Sequence, residues 1–200
     1  MMSTLQRKSS APTRYDSVAI ALHWLMAIAI IAEIILGWWM LEIPKLPAGV
    51  RAGWFNLHKS IGLTLGVLLV LRLFWRLKHR APPLPASVPR WQIRAARTNH
   101  VLMYLCLVTL VVAGYLGSTF SGYPIRWFGV LVPGWGWKDD AIKDLMSVVH
   151  SWASWVLVAL LVLHVSATLK HALFDRDGTL ARMLPGRRNA PQAIARSQGA

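Results

Sequence analysis

Polar positions thin out four times along this chain, leaving four long apolar stretches separated by polar connectors. The first runs from about Val18 to Met40 and is broken only by His23 and Glu33. The second runs from about Trp54 to Trp75, with His58, Lys59 and Arg72 near its ends. The third, from about His100 to Phe120, has no formal charge, and the fourth, from about Leu145 to Leu173, contains His150, His164, Lys170 and His171. About 20 apolar helical residues cross the hydrocarbon core of a bilayer. Four such stretches in succession predict an all-α integral membrane protein, a four-helix bundle.

The connectors orient it. Fourteen basic residues fall in the N-terminal segment, the middle connector and the C-terminal segment: Arg7, Lys8, Arg14; Arg76, Lys78, Arg80, Arg90, Arg94, Arg97; Arg176, Arg182, Arg187, Arg188, Arg196. The other two connectors hold five: Lys45, Arg51, Arg126, Lys138 and Lys143. Basic residues collect on the cytoplasmic side, so both termini and the middle connector are expected to face the cytoplasm. Arg7, Lys8 and Arg14 also precede an apolar run, as in a secretory signal. That run is too long for a signal core, no small-residue cleavage site follows it, and Trp38 and Trp39 suit an interfacial anchor, so it reads as a retained helix.

Composition agrees. Apolar residues make up 55% of the chain and charged residues 15%, where a soluble domain has about 25% charged. The net charge of +14 is accounted for by the connectors facing anionic headgroups, without nucleic acid. The single cysteine, Cys106, excludes an intramolecular disulfide and any cysteine-based zinc or iron–sulfur site. Pro82, Pro83, Pro85 and Pro89 predict an extended middle connector, and Trp127, Trp135 and Trp137 an interfacial one between the last two helices. From about Asn189 the chain reads as a disordered tail. The expected divisions are a cytoplasmic segment 1–17, a four-helix domain 18–173 and a basic cytoplasmic tail 174–200.

The candidate chemistry lies in the histidines. His150 and His164 are 14 residues apart on one helix, hence about 21 Å apart along its axis and within about 40° of the same side. One helix can thus supply an axial ligand to each of two stacked haems. Depth then pairs His23 with His164 and His58 with His150, because the crossed pairings would stretch one iron site over about 20 Å. A residue with a short side chain follows each ligand at i+4 (Ala27, Gly62, Ser154, Thr168), on the same face, with Gly66 extending the groove on helix two. Gly62 and Gly66 also fit a helix-packing motif. Interhelical hydrogen bonding or a proton path is the competing explanation for the histidines. His171, seven residues past His164, is an alternative inner ligand. His100 and His171 lie near the inner haem or a quinone pocket. Arg72 either snorkels to headgroups or meets a propionate or quinone, and Glu33 has no assigned role. No Cys-x-x-Cys-His occurs, so the haems are expected to be b-type.

Leu22-His23-Trp24-Leu25, His58-Lys59-Ser60-Ile61-Gly62, the His150, His164, His171 series, and Asp177-Gly178-Thr179-Leu180 through Pro185 together resemble the bacterial cytochrome b561 family. The resemblance covers about Arg14 to Arg188. It implies two haems b, ligated by His23, His58, His150 and His164. Some relatives oxidise superoxide at the outer face and reduce ubiquinone, while others serve as haem subunits of hydrogenases or formate dehydrogenases. The expected function is therefore a superoxide:ubiquinone oxidoreductase, the alternative an electron-relay and anchor subunit for a dehydrogenase or hydrogenase partner. Lys59, with Arg51, Arg126, Lys138 and Lys143, would draw superoxide to the outer haem, partly offset by Asp139, Asp140 and Asp144. Arg72, His100 and His171 would bind the quinone or supply its protons.

Overall fold

The structure is a computed structural model and describes residues 14–45, 49–79, 81–82 and 88–186. Arg7, Lys8, Arg80, Arg187, Arg188 and Arg196, most of the proline-rich connector and the expected disordered tail lie outside the described residues.

Four long helices dominate: α1 (Ser17–Glu42), α2 (Val50–Lys78), α3 (Arg90–Thr119) and α4 (Asp140–Lys170). Each is long and apolar enough to cross a bilayer. Their outward faces carry Ile28, Val70 and Val162, each more than 60% exposed. Such surfaces are stable against lipid and not against water, so the chain is a four-helix membrane bundle. The helices extend beyond the apolar runs. α3 begins ten residues before His100, at Arg90, directly after Pro89. Arg, Gln and Ala in that stretch favour helix as well as apolar residues do; their charge keeps them out of hydrocarbon, not out of a helix.

Asp16 caps α1, accepting from the Ala19 N–H at 2.9 Å, and also accepts from Trp75 Nε1 at 2.9 Å. Asp139 caps α4, accepting from the N–H groups of Ala141 and Ile142. Between α3 and α4, β1 (Ile125–Trp127) and β2 (Val130–Val132) form an antiparallel hairpin. Its two-residue turn, Phe128-Gly129, has φ of 47° and 91°. One of the two favoured two-residue hairpin turns, type I′, takes positive φ at both positions, and Phe128 is held there because its N–H donates to Ser60 Oγ on α2 at 2.9 Å. Trp127 Nε1 donates to Thr64 Oγ1 at 3.0 Å, fastening the hairpin along α2.

α1 packs mainly on α2 and α3 on α4. Both described ends of the chain lie at one end of the bundle. The Tyr15 N–H donates to the Arg182 carbonyl at 3.4 Å, Trp24 Nε1 to the Met183 carbonyl at 2.7 Å, and the Arg14 guanidinium to the Leu184 carbonyl. This is the terminal end; the opposite one, with β1 and β2, is the hairpin end.

A seven-residue register runs through all four helices: His23, Ile30, Gly37; His58, Leu65, Arg72; His100, Leu107, Gly114; His150, Leu157, His164. Seven residues are nearly two helical turns, so each series stays on one inward face. Ile30, Leu65, Leu107 and Leu157 join Met26 and Leu69 in the buried core. This apolar layer separates two polar ones about 21 Å apart.

Candidate functional site: two histidine layers

The hairpin-end layer contains His58 of α2 and His150 of α4. Their ring centroids are 6.1 Å apart, with the ring planes at 75°. Gly37 and Gly114 complete the layer from α1 and α3. A Cβ on Gly37 would lie 3.5 Å from His58 Cε1, and one on Gly114 only 3.3 Å from His150 Cε1 and Nδ1. Each ring therefore lies against bare backbone. His150 Nδ1 donates to the Leu110 carbonyl at 3.0 Å, one turn before Gly114. The Glu33 carboxylate, one turn before Gly37, touches His58 Nδ1. An imidazole whose Nδ1 carries the proton presents the Nε2 lone pair to a metal.

The terminal-end layer contains His23 and His164, with centroids 6.3 Å apart and planes at 65°. His100 packs edge-on to His164 at 5.1 Å, and its Nδ1 donates to the Ala96 carbonyl at 2.6 Å. Arg72 points into this layer rather than to the headgroups. Its Nε donates to the Tyr104 hydroxyl at 2.9 Å, and its Nη2 lies 3.1 Å from His23 Nδ1. A guanidinium only donates, so this contact must give way when a metal occupies His23 Nε2.

Both pairs pass a simple test for haem. Two imidazoles on opposite sides of one metal ion, with bonds of about 2.0–2.1 Å and ring centres about 1.1 Å beyond the nitrogens, have centroids roughly 6.3 Å apart. A Cβ on Gly62, one turn from His58, would meet nothing within 4 Å, so the groove beside that residue is open. Gly66 does something else: a Cβ there would come within 2.9 Å of Val111 Cγ1, which marks close packing of α2 on α3.

His171 stands outside the layer's ring contacts. It begins a π-helical turn (His171–Asp175), and its Nδ1 faces Asp177 at 2.7 Å and Asp175 at 3.0 Å. Burial pushes the Asp177 carboxyl up, but hydrogen bonding from Thr179 and the facing His171 imidazole outweigh it and hold it below the usual carboxylate value. Lys59 is half-buried beside His58 and makes no ion pair among the described residues. Lys138 and Lys143 do, with Asp140 and Asp144 at 3.1–3.4 Å. Their charge is offset, which leaves Lys45, Arg51, Lys59 and Arg126 as the cations of the hairpin end without an ion pair among the described residues. Sequence reasoning missed Gly37, Gly114, Tyr104 and the contact of Glu33. The 14-residue spacing, two steps of seven, from His23 to Gly37 and from His100 to Gly114 was the available signal for the glycines.

A membrane helix bundle that faces imidazoles in pairs at two depths has the architecture of a membrane-bound b-type cytochrome. The sequence pattern of prokaryotic cytochrome b561 matches residues 14–186, and the chain belongs to that family. It is 38% identical over 182 residues to cytochrome b561 homolog 2 of Escherichia coli K12, covering 88% of this chain and 94% of that protein. It is 28% identical over 180 residues to cytochrome b561 homolog 1 of the same organism, covering 88% and 99%. A third relative, at 24% over 176 residues and covering 88% and 98%, is the probable superoxide oxidase CybB of Yersinia pestis. The chain is thus a bacterial multi-pass membrane protein that binds haem b and transfers electrons.

Proposed function

We propose that the chain oxidises superoxide at the hairpin end and reduces ubiquinone at the terminal end, which faces the cytoplasm across the inner membrane. The observation that carries this is the pair of imidazole pairs, 6.1 and 6.3 Å between centroids, at opposite ends of one bundle. Similarity to the Yersinia pestis protein supports the substrate. His58 with His150, and His23 with His164, would each hold a haem b, which would supply a one-electron carrier at each of two depths.

The chain's own residues account for the rest. Lys59, Arg51 and Arg126 attract a small anion to the hairpin end. The layer of Ile30, Leu65, Leu107 and Leu157 keeps water and protons from crossing between the two ends. At the terminal end, Arg72 and Tyr104 offer donors to quinone oxygens, and His100, its Nδ1–H held by the Ala96 carbonyl, offers Nε2 as an acceptor for a quinol hydroxyl. His171, whose Nδ1 faces Asp177 at 2.7 Å, would relay a proton. Two superoxide anions release one electron each as dioxygen, and one ubiquinone takes up two electrons and two protons.

The test is spectroscopic. In the purified chain, superoxide is expected to reduce haem, and added ubiquinone to reoxidise it with net quinol formation. Absence of reduction by superoxide would remove the enzyme reading and leave an electron-relay subunit for a dehydrogenase or hydrogenase.

A further inference from the structure

One ionisable group in the bundle has no part in the reaction above. Glu33 lies within the apolar run of α1 and is 8% exposed. An acid at membrane depth is costly and is retained where a partner compensates it. Its Oε2 touches His58 Nδ1, while its Oε1 has no hydrogen-bond partner among the described residues. His58 Nδ1 likewise has no partner in hydrogen-bonding geometry there, so Glu33 meets it as a close charge contact. Each buried group is therefore the other's only polar provision.

The two histidines of this layer are held by different chemistry. His150 Nδ1 donates to a neutral backbone carbonyl, that of Leu110. His58 Nδ1 faces a carboxylate. The two arrangements are otherwise alike: Leu110 and Gly114 on α3 bracket one ring as Glu33 and Gly37 on α1 bracket the other. A carboxylate behind a metal-bound imidazole fixes its tautomer and raises its basicity.

We propose that Glu33 is a positioning residue that sets the reduction potential of the hairpin-end haem. It directs His58 Nδ1–H to itself, leaves Nε2 for the iron, and by enriching the imidazole in charge favours the ferric over the ferrous state. The inference rests on the two-haem reading and deepens it. Each tenfold preference for the ferric state lowers a one-electron midpoint by about 59 mV. The hairpin-end haem then holds an electron less tightly than with neutral acceptors behind both ligands, which favours onward transfer.

The experiment is a potentiometric titration of the full chain in lipid nanodiscs, followed by haem absorbance and by electron paramagnetic resonance of the ferric form. His150→Ala first assigns the surviving midpoint to the terminal-end haem. Glu33→Gln keeps the shape and an acceptor oxygen but removes the charge. It is expected to raise the hairpin-end midpoint by a tenfold or greater change in ferric preference, to alter that haem's ferric signal, and to leave the other midpoint in place. Glu33→Asp keeps the charge but withdraws it by one methylene, and a smaller upward shift in the same haem is expected. An unmoved hairpin-end midpoint in either variant with both haems bound overturns the proposal alone, as do equal shifts in both midpoints. If His150→Ala removes no haem, both the two-haem reading and the proposal fall.

Discussion

A methyl group at position 114 probes the layered arrangement where it is tightest. In Gly114→Ala the new Cβ would sit 3.3 Å from both Cε1 and Nδ1 of His150, inside the contact optimum of about 3.5–4.0 Å. The ring cannot simply swing away, because its Nδ1 is tied to the Leu110 carbonyl at 3.0 Å. Overpacking of this kind costs about 1–3 kcal/mol, equivalent to roughly 5- to 150-fold weaker retention of a ligand held by that ring. Gly37→Ala is the internal control: it faces His58 in the same layer at 3.5 Å, an ordinary contact, so little change is expected. The assay loads each protein with haem, challenges it with a haem-scavenging protein, and follows haem loss by absorbance. Gly114→Ala is expected to lose the hairpin-end haem faster and to keep the terminal-end haem at the rate of the unmodified protein. Unaltered loss rates, or faster loss from the terminal end, would refute the placement of Gly114 behind His150.

Further outcomes follow from the same geometry. Fully loaded protein is expected to hold two haems per chain, with His150→Ala and His164→Ala each removing a different one; if both variants disturb the same haem by absorbance and potential, the two-layer arrangement is wrong. Lys59→Glu reverses one charge beside His58; with superoxide about 7 Å away in water, the change of two charges is worth roughly 1.2 kcal/mol, or a five- to tenfold slower haem reduction at low salt. Stopped-flow traces should show that difference shrinking as ionic strength rises, and an unchanged rate with unchanged salt dependence would exclude Lys59 from the mechanism. The Asp177 carboxyl lies below its ordinary value of 3.8 in the folded chain, so its contribution is complete above that pH and is lost as pH falls through the lower folded value. Thermal unfolding of Asp177→Asn should therefore differ from the unmodified protein at neutral pH and converge with it in strong acid; a gap that persists there would contradict the assignment.

How much of this was legible before folding differs from feature to feature. The four spans followed from hydropathy alone, because a bilayer admits few other ways to satisfy a backbone. The depth of each histidine followed too, since helical rise is fixed: His150 and His164 had to fall at different levels. Helix ends were less legible, and the start of α3 at Arg90 shows why. Charge marks where hydrocarbon stops, not where the helix does. Family membership rested on local strings such as Leu22-His23-Trp24 and needed no tertiary contact.

Only the tertiary structure decided what surrounds each ring. Which way Arg72 points, whether His100 reaches His164, and what stands behind His58 all depend on how each helix is rotated against its neighbours. That rotation is set by side-chain packing between segments far apart in sequence. Gly66 against Val111 is one such close approach, and Glu33 beside His58 depends on the same kind of fit between α1 and α2. The acidic residue could be read from the chain as an oddity in an apolar run, but its partner could not, because a carboxylate in hydrocarbon takes whichever polar group the neighbouring helix presents.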